Sequence, residues 1–443
     1  MKGYQVFAGI CLFGAFASPV QAAAGGRIVR LSLEEAVRLA RDNNYTIKVA
    51  RTRVDQADAK IVQTRQSYLP KVTLSETALV TNDPGTALVL KLQQNIVEAS
   101  DFNPDKLNNA DTINDFNTSL QVTQPIYNAD AAIGRRIAST AKKAQEFMAA
   151  RTEESVALQV SKVYYGLILA RKNIEAVEQS IKAMQGHSRE AAKAYRVGLL
   201  TKSDKLSTDV RLAELNEQKL ILHDAIKNAT DALKVMLNLK QDVTIIPAGD
   251  FVIGKGMPVA AEDRVPENRS DLMALQVNRE VAEKQGEMAR ASRLPKVNGF
   301  LRADLHSDDI FSGGSSWAMG VNVQWDIFDG MASEGRVQEA KAQELEARYS
   351  YELARSSSLA DIRKALREMK TAKARIAVSQ QALEEARVSL DYIGSQFRTG
   401  MAMTFELLMR ESAYTYAKLR LNQARHDYCI ARSEFDYYSG KQR

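Results

Sequence analysis

Side chains able to carry chemistry are few and scattered along this 443-residue chain. Its four histidines, His187, His223, His306 and His426, keep no H-x-x-x-H spacing, and no nucleophile elbow or glycine-rich phosphate loop accompanies them. His187 and His223 fall within helical patterns and read as surface residues. The two cysteines, Cys11 and Cys429, offer no Cys-based metal site. Neither an enzyme nor a cofactor or metal site is expected. What does recur is a carboxylate in a matched setting. Residues 195–206 read YRVGLLTKSDKL and residues 397–408 read FRTGMAMTFELL. Each has an aromatic residue, an arginine, a spacer and a glycine (Gly198, Gly400). Six residues on comes an acid (Asp204, Glu406), then Leu206 or Leu408. Glycine takes the left-handed conformation of a helix C-terminus at no steric cost, and Ser203 and Asp204 suit the opening of a following helix. Both stretches therefore predict the tips of helical hairpins.

The elements that must present these tips repeat once along the chain. An amphipathic helix over residues 31–67 opens with Ser32 and Glu35 in capping-box spacing and ends in SYLPKV, Ser67 to Val72. The same ending returns as SRLPKV, Ser292 to Val297, closing a helix that begins near Glu267. Proline forces the residue before it out of helical geometry, so each marks a switch to extended chain. Alternating sequence follows, then QPIYN from Gln124 or WDIFD from Trp325, where a long helix opens and runs to the glycine. The spacing is 201 residues from Ile126 to Ile327 and 202 from Gly198 to Gly400. Such agreement predicts two structural repeats, residues 25–240 and 267–443, joined by a linker over 241–266.

The long helices carry a heptad pattern. Val156, Val160, Val163, Leu167, Ala170, Ile174, Val177, Ile181 and Met184 step by four and three, as do Tyr414, Ala417, Leu421, Ala424, Tyr428, Ala431, Phe435 and Tyr438. A 3.5-residue repeat packs helices side by side with a shallow left-handed crossing. The run from Ala129 to Val197 would be ~100 Å of helix at 1.5 Å per residue, too long for an ordinary globular domain. Composition agrees: prolines number 9 and aromatics are 7%, as in long helices. The formal charge of +6, from 60 basic and 54 acidic residues, mixes both signs along the helices. That is a solvated helix surface rather than a nucleic-acid patch.

The chain opens with Lys2, an apolar run over residues 6–17 and small residues up to Ala22 or Ala24. This is a secretory signal peptide, residues 1–24, since a spanning helix needs roughly 20 apolar residues. Its removal takes Cys11 and leaves no partner for a disulfide, which suits a bacterial envelope protein better than a disulfide-stapled secreted one. Four segments then alternate apolar and polar residues: 72–80, 116–126, 297–305 and 317–327. In the last, Trp317, Met319, Val321, Val323, Trp325 and Ile327 alternate with Ala318, Gly320, Asn322, Gln324 and Asp326. Such segments match outer-membrane barrel strands. Four strands cannot close a barrel, and an open edge is not tolerated in lipid, so a symmetric homo-oligomer is expected.

Duplicated halves, SxLPKV helix ends, two strands per half and glycine-tipped helices of about 70 residues together resemble the TolC-like outer-membrane efflux family. The resemblance covers nearly the whole chain after residue 24. It implies a mainly α fold with β: a homotrimer sharing a twelve-stranded β-barrel in outer-membrane lipid, continued by a twelve-helix α-barrel in the periplasm of a Gram-negative bacterium. The function it implies is an exit duct for drugs, toxic small molecules or secreted proteins. A periplasmic adaptor and an inner-membrane pump of the RND or ABC type would be its partners. Residues 82–115 and 306–315 become extracellular loops, and the linker joins a belt around the tunnel. At the tips, Gly198, Leu199, Leu200, Gly400, Met401 and Met403 become adaptor contacts. Asp204, Glu406, Phe397 and Arg398 become the periplasmic entrance, where three converging Glu406 carboxylates would favour cations. Relatives carry a second acid where this chain has Met409, a tyrosine at Phe397 and an arginine at Ala402. Their salt-bridged latch is therefore not reproduced, and Arg398 or Lys202 is left to replace it. A periplasmic coiled-coil scaffold or adhesin stalk without conduction is the alternative.

Overall fold

The computed structural model describes residues 28–254, 256, 265–266, 268–310 and 313–440. The expected signal segment with Ala22 and Ala24, Glu267 and linker residues 255 and 257–264 lie outside the described residues.

A short strand β1 (Ile28–Leu31) leads into α1 (Leu33–Asn43) and α2 (Tyr45–Gln63). The expected capping box is present: Glu35 N–H donates to Ser32 Oγ, and Ser32 N–H to the Glu35 carboxylate. The single helix expected over residues 31–67 is instead broken at Asn44, whose backbone is extended (φ −62°, ψ 129°), and its last turn tightens into a 3-10 turn, Thr64–Ser67. Asn44 is the reason for the break. Its side-chain oxygen accepts from the N–H groups of Thr46 and Ile47, while its amide donates to the Met236 carbonyl at 2.8 Å. Replacing Asn44 with alanine removes a cap and a buried tertiary bond together. A loss of about 1–2 kcal/mol is expected in thermal or denaturant unfolding.

Strand β2 (Lys71–Thr81) follows, then α3 (Pro84–Gln93), a 3-10 turn (Ala99–Phe102), α4 (Pro104–Asn108) and strand β3 (Ile113–Tyr127). The span over 82–115, expected as the extracellular loop of the first hairpin, is thus largely helical. Helix α5 (Ala129–Arg196) is 68 residues long, and α6 (Lys202–Leu237) is 36. Strand β4 (Thr244–Pro247) pairs in parallel with β1. Helix α7 (Ser270–Ala291) opens a second run of the same order: strands β5 (Lys296–Ser307) and β6 (Gly314–Gln324), then α8 (Ala332–Arg398) of 67 residues and α9 (Thr404–Tyr438) of 35. Strand β6 ends before Trp325, whose ring N–H turns back to the Arg293 carbonyl, so Trp325 and Ile327 do not extend the strand as expected.

Helix α5 is the axis of the packing and touches α1, α2, α6, α7 and α9. Its heptad faces inward: Val160, Leu167, Val177 and Met184 are fully buried, as are Tyr428 and Phe435 on α9. Tyr164 fixes the short parallel pair onto α5, donating to the Leu31 carbonyl at 3.0 Å. Cys429 is buried among these residues, and burial pushes its thiol up to about 11.

The four long strands form one antiparallel sheet in the order β2-β3-β5-β6. Register aligns two apolar rows on one face: Val72, Val122, Leu301 and Met319, and beside it Leu74, Leu120, Ala303 and Trp317. The opposite face carries Thr73, Gln121, Arg302 and Ala318, then Ser75, Ser119, Asp304 and Ser316. Glu76 is the one charge on the apolar face of these strands, where it accepts from the Thr118 hydroxyl. Strands β2 and β6 are unpaired at the outer edges. Among the described residues no helix is long and apolar enough to cross a membrane.

Candidate functional site

Each tip begins where a long helix runs out of backbone partners. Gly198 (φ +78°) and Gly400 (φ +76°) are left-handed, which lets Leu199 N–H reach the Ala194 carbonyl and Met401 N–H the Gln396 carbonyl, both at 2.9 Å. These are Schellman-type closures that satisfy the last carbonyls of α5 and α8. The next helix starts four residues later. Thr201, rather than Ser203 or Asp204, is the N-cap of α6. Asp204 sits three residues in, where its carboxylate accepts from the Thr201 N–H and hydroxyl. Glu406 repeats the position on α9 and accepts from Met403 N–H at 3.2 Å. A carboxylate in the first turn also meets the positive end of the helix dipole. Both carboxylates therefore have a structural task, and Glu406 remains exposed.

The tips leave apolar side chains in solvent. Leu199 is 78% exposed, Met401 73% and Met403 74%, whereas Leu200 is half-buried. Exposed Val197 and Phe405 extend the patch. The two hairpins meet just behind it. Phe397 packs edge-to-face on His187 of α5, ring centroids 6.4 Å apart. His187 is thus half-buried rather than a surface residue, and burial lowers its pKa, with Arg398 adding to the effect and Glu190 opposing it. The Arg398 side chain donates to the Gly394 carbonyl of its own helix. Lys202 is exposed at the first position of α6.

Deeper in the seam, Val177, Ile181 and Met184 of α5 pack with Leu215 of α6, flanked by Leu408 and Leu419 of α9. Ser180 and Thr415 share a buried hydrogen bond of 2.7 Å across α5 and α9, and Asn422 donates to Asn173 at 3.0 Å. Glu411 is also buried here, at 2% exposure. Burial raises its pKa, a shift that the Arg211 guanidinium of α6 only partly offsets. Arg211 donates to Glu214 and leaves its Nε buried without a partner. The expected site did not include Glu411. Its signal was the spacing of Thr404, Leu407, Glu411 and Thr415, which share a buried face at steps of three and four.

Helices of ~100 Å, a four-stranded sheet with one apolar face, and glycine-closed tips make up a mainly α fold with β. The outer membrane efflux protein family model matches residues 36–239 and 263–440, and the chain belongs to that family. It is 20% identical to the outer membrane protein TolC of Salmonella enteritidis over 341 residues, 74% of this chain and 69% of that protein. It is likewise 20% identical to the alkaline protease secretion protein AprF of Pseudomonas aeruginosa, over 73% of this chain and 69% of that one. In three dimensions it resembles the Campylobacter jejuni CmeC outer membrane channel, with a TM-score of 0.79 at 18% identity over 92% of this chain and 86% of the other.

Proposed function

We propose that three copies of the chain form an outer-membrane exit duct, with the sheets joined edge to edge into one barrel and the long helices continuing it into the periplasm. The observation that carries this reading is the four-stranded sheet, apolar along one face and unpaired at β2 and β6. Those edges are untenable in lipid unless neighbouring copies complete the ring. A stalk or scaffold has no use for a lipid-facing row such as Trp317, Met319, Val321 and Val323. The apolar tips are the docking surface for a periplasmic adaptor linked to an inner-membrane pump of the RND or ABC type. Asp204, Glu406, Phe397 and Arg398 surround the entrance, with Glu406 supplying negative charge that favours cations. Relatives named for efflux and for protease secretion leave the cargo, drug or protein, to be set by the pump.

The duct is tested by reconstitution, in which heat-labile trimers that conduct in a planar bilayer are expected. Stable oligomers with no conductance would instead support the stalk. Docking is tested by Leu199→Asp with Met401→Asp. Export in cells and capture of the adaptor by crosslinking are expected to be lost, while trimer yield and single-channel conductance stay at parental levels. Normal export by that double variant would remove the tips from the docking surface.

A further inference from the structure

We propose that the helical insert between β2 and β3 is a lid on the outer mouth of the duct, lying on the lumen side of the strand ends and pinned there by Gln94. The inference rests on the duct reading above, which makes the polar face of the sheet the lumen.

Four observations place the insert on that polar face. Side chains alternate along a strand, so Ile113 and Asp115 point the same way as Asn117, Ser119 and Gln121. Ile113 is buried against Ala87 and Leu90 of α3. Asp115 is 3% exposed and His306, on the same face of β5, is 6% exposed; their side chains pair at 2.9 Å. Gln94, at the end of α3, donates to the other Asp115 oxygen at 2.9 Å and to the Asn114 carbonyl at 2.8 Å. Gly314 stands opposite His306 in the register, and a Cβ there would lie 2.1 Å from the Gln93 carbonyl oxygen. The absent side chain is what lets α3 lie across β6.

The insert therefore crosses from the first strand pair over to the second, and it is built to keep its shape. Asp83 caps α3 and Pro84 follows at its first turn. Lys91 of α3 pairs with Asp101 of the following 3-10 turn at 2.8 Å, and Asp101 also accepts from Glu98 N–H. A flexible hairpin loop would need none of these bonds. Gln94, Asp115 and His306 satisfy one another away from water, which fixes the insert to the strand ends rather than leaving it to sweep freely. In a closed ring, three such inserts converge over the opening, so the outer mouth is gated separately from the tips.

The test reads access to the lumen from outside intact cells. Gln121→Cys places a thiol on the lumen face below the insert. It is challenged with a small charged thiol reagent and with a polymer-linked maleimide, against the parent chain as background. The expected result is ready labelling by the small reagent and slow labelling by the polymer. Replacing residues 84–110 with a short Gly/Ser turn should speed the polymer reaction by an order of magnitude. Gln94→Ala, which leaves every strand intact, should give an intermediate rate, so the test stands even where the replacement fails to form trimers. Equal polymer rates in the Gln121→Cys protein with and without Gln94→Ala and the replacement would overturn the lid. Protection of the introduced thiol from both reagents in every trimeric variant would overturn the duct reading itself.

Discussion

Replacing Arg151 with methionine is expected to destabilise the chain by about 3 kcal/mol, the lower end of the cost of removing one partner from a buried ion pair. Arg151 is 9% exposed on α5 and joins three helices. Its guanidinium lies 3.5 Å from the centroid of the Tyr437 ring on α9. It donates to Glu154 at 2.7 Å and to the Tyr437 carbonyl at 3.3 Å, and its Nε is 3.6 Å from the Asp271 carboxylate of α7. Arg269 holds the same carboxylate and the Tyr438 carbonyl, which is why the loss falls at the lower end. Lysine should not restore the loss, because it offers neither the planar stack on Tyr437 nor the forked donors. Burial alone would raise the Asp271 pKa, but the Arg269 hydrogen bonds and the two arginine charges hold it below its usual value. The stability it contributes is present above pH 3.8 and is lost as pH falls through the depressed value. Arg151→Met should therefore lower the melting temperature near neutrality and shrink its fall in acid. A variant that melts as the parent does at neutral pH would remove Arg151 from the framework.

Glu411 is expected to give the seam between the hairpins the opposite pH dependence. Its pKa is raised above the ordinary 4.5 because burial disfavours the charged form, and Arg211 offsets this only in part. The charged group acting on it is Arg211 of α6, and one turn along its own helix the Thr415 hydroxyl donates to the Glu411 carbonyl. The packed seam holds the proton more tightly than an open one. Its contribution is complete below the ordinary value and is lost as pH rises through the raised value. Amide exchange along α9 around Thr415 should therefore accelerate with pH beyond its intrinsic dependence. Glu411→Gln, neutral at every pH, should abolish that excess, whereas Glu411→Lys, which sets a second cation beside Arg211, should leave the seam open throughout. An excess that persists in Glu411→Gln would assign the effect to another group.

The partners of both residues escape a reading of local pattern. Arg151 sits in an ordinary charged helix segment, and its carbonyl partner Tyr437 lies 286 residues away. Glu411 shares the three- and four-residue spacing of a buried face with Leu407 and Thr415, but that spacing does not reveal that Arg211 of α6 faces its desolvated carboxylate. The break at Asn44 was equally hidden, because the Met236 carbonyl that makes it worthwhile is 192 residues distant. The short helices of the insert were hidden for a different reason. Its asparagines and aspartates do mark turns, but they also cap short helices, and Asp83 and Asn103 do so here.

The sequence by itself determined what depends on neighbours a few residues apart. Heptad spacing made the long helices, SxLPKV ended the shorter α2 and α7, glycine closed both tips, and alternation laid down four strands. Each is a backbone preference or a periodicity that one segment expresses alone. Tertiary structure decided which face each segment shows to the others. It paired β1 with β4, turned Phe397 onto His187, enclosed Glu411 and folded the insert onto the polar side of the sheet. These outcomes depend on register and burial between segments far apart in the chain, where desolvation and hydrogen-bond satisfaction outweigh local preference.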